Sequence, residues 1–180
     1  MFYSIKNKIN VKKYVKSQNR LFLINNIKLN DHYFSSGTQR RMYINPSDEN
    51  TCIKIFHNNK DKSNLYNSSS TELYFYKHCI KEEDKKYFSE AHRFINTSKG
   101  IGVLYTTIKN DDKEISMNLK KYLNTYGLTN ELKLNILILK KMLIKKIYHI
   151  QDFRTSNILV KMNNDKIINL VIIDYPKYMR

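Results

Sequence analysis

The sequence predicts an α+β protein with a β-rich N-terminal lobe and a helical C-terminal lobe. Short β-like pieces punctuated by turn signals fill the stretch after Asn30, a long helical pattern appears only at Asn130–His149, and two short strands follow it. Strands first, one helix inserted, then helices and a late hairpin is an α+β order.

The elements can be justified in turn. His32–Ser36 leads into a turn at Ser35-Ser36-Gly37-Thr38, and Arg41–Ile44 is a second β piece stopped by Asn45-Pro46-Ser47-Asp48. Thr51–His57 alternates Cys52, Lys54 and Phe56 against Ile53 and Ile55, the mark of a strand with two different faces. Three strands joined by tight turns make an antiparallel meander. Asn58–Asn67 reads as polar loop, and Ser68-Ser69-Ser70-Thr71-Glu72 as the capped start of a helix running through Cys79. Ile101–Ile108 reads as a strand and Ser116–Tyr126 as a short helix. In Asn130–His149, Leu132, Ile136, Leu139, Leu143 and Ile147 recur at helical spacing, with Thr129 or Asn130 as cap. Asn157–Lys161 and Ile167–Ile173, separated by Met162-Asn163-Asn164-Asp165, form a hairpin. The expected organisation is an unassigned extension over 1–28, a β lobe with one inserted helix over 29–109, and a helical lobe with the hairpin over 110–180, hinged near Lys109–Lys113.

Composition bounds the function. At 180 residues, 41% of them hydrophobic, with 14 Tyr and 8 Phe, the chain can bury a core and is not disordered in character. The net charge of +16 favours anionic partners: nucleotides, nucleic acid or an anionic membrane surface. Part of it reflects codon usage, because Lys outnumbers Arg 26 to 6, Asn occurs 22 times and Ala91 is the only alanine. No RRM, KH, OB or helix-turn-helix signature supports nucleic acid. The apolar stretch Leu132–Ile150 is broken by five lysines, so no membrane span is expected. Cys52 and Cys79 match neither a zinc nor a disulfide pattern and read as small buried hydrophobes, which makes a cytoplasmic location the default. Glu82-Glu83-Asp84 and Asp111-Asp112 read as solvated faces.

The late hairpin carries the chemistry. Asp152 and Asn157 stand five apart just before it, and Asp174 closes it. Phosphoryl transfer to a hydroxyl needs one carboxylate to accept the proton, and an amide oxygen with a second carboxylate to hold Mg2+ against nucleotide phosphates. Singly each residue is a weak signal; order and spacing together give them weight.

In this order the chain resembles the protein-kinase pattern. The catalytic loop appears as Ile150-Gln151-Asp152-Phe153-Arg154-Thr155-Ser156-Asn157, and the magnesium motif as Asp174-Tyr175-Pro176, without its glycine. Lys54 in Cys52-Ile53-Lys54 takes the place of the strand lysine, with Glu72 as its helix partner. Gly37-Thr38-Gln39-Arg40-Arg41 is a glycine loop with one glycine. The segment Gly37–Pro46 followed by Cys52-Ile53-Lys54-Ile55 is similar to the opening of the YrbL family, the PhoP regulatory network proteins of bacteria. Gly100–Val103, Ile115-Ser116 with Leu119, and Asn157-Ile158-Leu159 fit its later segments. Met42 and Asn45 depart from the usual Cys and His.

The resemblance implies a reduced protein-kinase-like bilobal fold with a small, truncated helical lobe. It also implies an ATP- and Mg2+-dependent phosphotransferase acting on a protein or small-molecule acceptor. Gly37, Arg40, Arg41, Lys54 and Glu72 would serve the nucleotide, Asp152 and Arg154 catalysis, and Asn157 and Asp174 the metal. The alternative is a pseudokinase or regulatory binding module without catalysis, to which the thin glycine loop and Pro176 point.

Overall fold

The computed structural model describes residues 26–36, 40–56, 62–146, 148, 150 and 153–175. They fold as α+β, with a six-stranded sheet, a separate two-stranded hairpin, and a few helices. The chain divides into two compact units. Of the described residues, one is built on those within 26–79 and 90–107, the other on those within 80–89 and 108–175.

The first unit holds the large sheet. Its strands are β1 (Asn26–Ile27), β2 (Ser35–Ser36), β3 (Arg40–Asn45), β4 (Asp48–Phe56), β5 (Ala91–Thr97) and β6 (Gly100–Thr106), in the order β1-β5-β6-β4-β3-β2. The predicted antiparallel meander is present as β2-β3-β4. The sheet departs from antiparallel pairing at one edge, where β1 runs parallel to β5.

The turn between β3 and β4 is built as its residues dictate. Asn45 Oδ1 accepts from the Ser47 amide at 3.1 Å, Asn45 Nδ2 donates to Thr51 Oγ1 at 2.9 Å, and the Asp48 carboxylate accepts from the Asn50 amide at 3.0 Å. Pro46 fixes φ and gives up a donor that a turn does not need. A register shift between Ile44, which pairs with Cys52, and Asn45, which pairs with Asp48, absorbs the turn, so β4 begins at Asp48, ahead of the predicted start at Thr51.

β4 is buried on both faces. Ile53 and Ile55 join Leu29, Tyr43, Ile95 and Leu104 in an apolar cluster on one side. Cys52 and Lys54 lie on the other, opposite Tyr105 and Val103 of β6. Gly102 makes the close pairing of β4 and β6 feasible. A Cβ there would meet Ile53 Cγ2 at 2.7 Å and the Lys54 carbonyl at 2.9 Å. Gly100, at φ +111°, supplies the turn into β6 that L side chains rarely adopt.

Helix α1 spans Lys62–His78, which corrects the predicted start at Ser68–Thr71. Those residues lie inside the helix, and Glu72 sits past its middle rather than in its first turn. Serine favours caps only as a bias of the backbone alone, and packing overrides it here. Ser69, Glu72, Leu73 and Tyr76, spaced i, i+3, i+4, i+7, are all buried as one face, and α1 packs on β5.

The second unit is organised by the hairpin of β7 (Ile158–Asn163) and β8 (Lys166–Ile172). Asn164 and Asp165, at φ +46° and +61°, make the turn that Asn and Asp tolerate best. Helix α2 (Leu119–Tyr126) is capped by Asn118, whose Oδ1 accepts from the Lys121 amide at 2.8 Å. Helix α3 (Asn130–Lys146) is capped by Thr129, whose Oγ1 accepts from the Leu132 amide at 3.1 Å. Leu132, Leu139 and Met142 are its buried stripe, and Glu131 accepts from the Ile167 amide at 3.0 Å, tying α3 to β8.

In a 3-10 segment at Glu82–Tyr87, Glu82 and Glu83 are exposed as the sequence predicts, but the reading of Asp84 as solvated is corrected. Asp84 is buried, accepts from the Tyr148 hydroxyl at 3.1 Å and lies 3.7 Å from Lys146 Nζ. Burial is the main cause pushing the Tyr148 hydroxyl above the usual phenol range. Among the described residues no helix is long and apolar enough to cross a membrane.

Candidate functional site

The first unit builds a charged cluster on the Lys54 face of the sheet. Strand alternation puts Arg40, Met42, Lys54 and Phe56 on one face, because Arg40 pairs with Phe56 and Met42 with Lys54. Lys54 and Glu72 are 2% and 1% exposed, values that aliphatic side chains normally show. Arg40 reaches Glu72 with both ends of its guanidinium: Nη2 donates to Oε1 at 2.8 Å and Nη1 to Oε2 at 3.2 Å. Bidentate, charge-assisted pairing of this kind is among the stronger hydrogen bonding open to a carboxylate. Arg40 also lies over the Phe56 ring, 5.3 Å from its centroid.

Tyr105 joins the cluster from β6. Its hydroxyl donates to Glu72 Oε2, and the Lys54 ammonium sits 4.2 Å from the centroid of its ring. One tyrosine therefore touches the strand lysine through its face and the helix glutamate through its hydroxyl. Ammonium over an aromatic face is an attractive contact that strengthens on desolvation. Cys52, next along the same face, is a buried thiol whose pKa is raised by burial, with Lys54 pulling weakly the other way. It is therefore a neutral neighbour to the charges.

The second unit positions the other half of the expected residues. In the hairpin Ile158 pairs with Ile172, and one step further out the Ile173 amide donates to the Asn157 carbonyl at 2.9 Å. That register brings Asn157 and the residue after Ile173, Asp174, to the same open end. Both are half-buried. Asn157 ends a 3-10 turn, Thr155–Asn157, closed by its own amide donating to the Arg154 carbonyl at 2.9 Å. Asp174 adopts φ +56°, a left-handed conformation that Asp tolerates better than most residues. Tyr175 behind it is buried, edge-on to Phe88 at 5.4 Å between centroids, and its hydroxyl donates to the Ser89 carbonyl. These contacts anchor the chain just past Asp174.

The predicted residues thus fall into groups. Arg40, Lys54 and Glu72 are brought together in the first unit, and Asn157 and Asp174 in the second. Arg41 points to the opposite face of β3 from Arg40, is exposed, and stacks over the Tyr33 ring at 5.0 Å. Arg154 is exposed at the start of the 3-10 turn. Gly37 and Asp152 lie outside the described residues. Tyr105 was not foreseen; its pairing across from Cys52, two residues from Lys54 on the same face, is the signal that marks it.

The donor set suits a hard cation that keeps other oxygen ligands. Asn157 and Asp174 offer an amide and a carboxylate oxygen, which matches the one or two protein ligands Mg2+ takes beside phosphates. Among the described residues no three His, Cys, Asp or Glu gather into a self-sufficient metal site.

Among curated proteins, none matches the chain. The family model described as PhoP regulatory network protein YrbL matches residues 27–175, from β1 to the residue after Asp174. Among the described residues the match takes in every helix and, apart from Asn26 of β1, every strand, and the chain belongs to this family.

Proposed function

We propose that the chain has a reduced protein-kinase-like fold and transfers a phosphoryl group from ATP, with Mg2+, to a hydroxyl-bearing acceptor. The observation that carries this reading is the contact of Lys54 and Glu72 with one side chain, Tyr105, while all three are buried. Burying an ammonium and a carboxylate costs several kcal/mol for each ion, and paired charges rarely do better than aliphatics of similar size. A strand lysine and a helix glutamate kept at that cost have a use beyond stability.

In this reading Lys54 holds the α- and β-phosphates, and Glu72 keeps the local charge balanced and the lysine in place. Arg40 fixes Glu72 and adds a guanidinium at the same edge. Asn157 and Asp174 would hold Mg2+, which when bound supplies neutralisation of charge on the phosphates. Asp152 accepts the proton of the acceptor hydroxyl, and Arg154 offsets charge on the group in transit. Gly37 and Arg41 would also serve the nucleotide, Arg41 from the face of β3 opposite Arg40.

A second reading is favoured by one observation. Both oxygens of Glu72 already accept from Arg40, so the glutamate is held by a protein cation without nucleotide. In that reading the site binds nucleotide to regulate a partner and turns nothing over. ATP hydrolysis with Mg2+, measured for the intact chain and for Asp152→Asn, separates the two. Turnover lost in Asp152→Asn supports the phosphotransferase; tight binding without turnover in either protein supports the regulatory module. If Asp174→Ala leaves nucleotide binding and turnover unchanged, the metal assignment is wrong.

A further inference from the structure

Helix α3 has a second side that the core does not use. Leu134, Leu137, Ile138 and Ile144 are 58, 53, 42 and 67% exposed. At 100° per residue they lie on the side away from Leu132, Leu139 and Met142. Lys133, Lys140, Lys141 and Lys145 are exposed among and beside them. The one acid of the helix, Glu131, is turned to the Ile167 amide, and Lys146 to Glu83 and Asp84. The outward face is therefore aliphatic and cationic, with no acid on it.

Charge decides what can cover such a face. A second copy would set lysines against lysines in a chain of net charge +16. An acidic peptide would satisfy the charge, but four aliphatics along the crest of one helix offer no groove to hold a defined segment. An anionic lipid surface needs no groove. Aliphatics enter the boundary between headgroups and acyl chains, while lysine stems extend so that their ammonium groups stay among the phosphates.

We propose that the outward face of α3 docks the protein on an anionic lipid surface. The helix lies in the plane of the interface, with Leu134, Leu137, Ile138 and Ile144 inserted and Lys133, Lys140, Lys141 and Lys145 against phosphate. This proposal is independent of the nucleotide reading, since it uses none of those residues.

The chain contains no tryptophan, so Leu137→Trp, at an exposed position, gives a single reporter on the face itself. The full chain carrying it is mixed with vesicles of phosphatidylglycerol and phosphatidylcholine, with vesicles of phosphatidylcholine alone, and with polyglutamate. The expected result is a blue-shifted emission, quenched by brominated lipid, with the anionic vesicles only. Adding Leu134→Ser and Ile144→Ser, with far-UV circular dichroism unchanged, is expected to weaken partitioning by about tenfold or more. If that variant unfolds, Lys140→Gln with Lys141→Gln and Lys145→Gln is expected to weaken it instead. Cosedimentation with unshifted emission would place the contact elsewhere on the chain and overturn the proposal, as would no binding at all. A shift with polyglutamate but not vesicles would assign the face to an acidic protein segment. A shift that grows with protein concentration alone would assign it to a second copy.

Discussion

The two faces of β4 are equally buried and chemically opposite. Ile53 and Ile55 close an apolar cluster with Leu29, Tyr43, Ile95 and Leu104, while Lys54, one residue between them, shares its face with Tyr105, Glu72 and Arg40. The apolar face gains free energy from every methyl it removes from water. The charged face loses most of its Coulomb attraction to desolvation. A sheet selected for stability alone would carry aliphatics on both sides, so the charged face is the half of the strand whose residues stability does not explain.

Mutations can break this comparison in a definite order. Glu72→Ala leaves half-buried Arg40 without its carboxylate, beside a buried Lys54, and is expected to cost about 3–5 kcal/mol by denaturant unfolding. Ile53→Ala removes a fully buried side chain from the apolar face and should cost about 2–5 kcal/mol in the same measurement. Gly102→Ala presses a methyl on Ile53 and the Lys54 carbonyl, with an expected loss of about 1–3 kcal/mol. Lys54→Met exchanges a buried ammonium for an apolar chain of similar length. Its stability should stay within about 1 kcal/mol of the parent, because the ion pair of Arg40 and Glu72 remains.

The smallest effect is a pH dependence. Burial pushes the thiols of Cys52 and Cys79 above the usual range, so the folded chain holds protons that the unfolded chain releases. Their contribution to stability is complete below the unfolded thiol pKa, about 8.5, and is lost as pH rises through the folded values. Thiol labelling near that pH should modify half-buried Cys79 before Cys52. Equal rates would mean that the Lys54 face opens readily.

The sequence was most legible where local chemistry and packing agree. The turn at Asn45–Asp48, the two-faced strand around Lys54, the Thr129 cap with its Leu132 and Leu139 stripe, and the hairpin closed at Asn164 and Asp165 all rest on short-range rules. It was least legible where packing overrides those rules. β5 escaped because a register shift between Ala91 and Arg93 breaks the period of two. The first turns of α1, Lys-Ser-Asn-Leu-Tyr-Asn, read as polar loop, and only the buried face further along explains why they are helical. Asp84 reads as one of three surface acids until Tyr148 and Lys146 are seen to close over it. Of the candidate site, Lys54 and Glu72 were legible from order and spacing. Tyr105, which touches both, depends on a strand pairing of Cys52 with Tyr105 that no local pattern records.

The most direct test of the charged face is calorimetric titration of ATP with Mg2+ into the intact chain and into Lys54→Met. The account predicts saturable, Mg2+-dependent binding to the parent, and its loss in a Lys54→Met protein that remains folded. Binding of equal strength to both, or to neither, would contradict it.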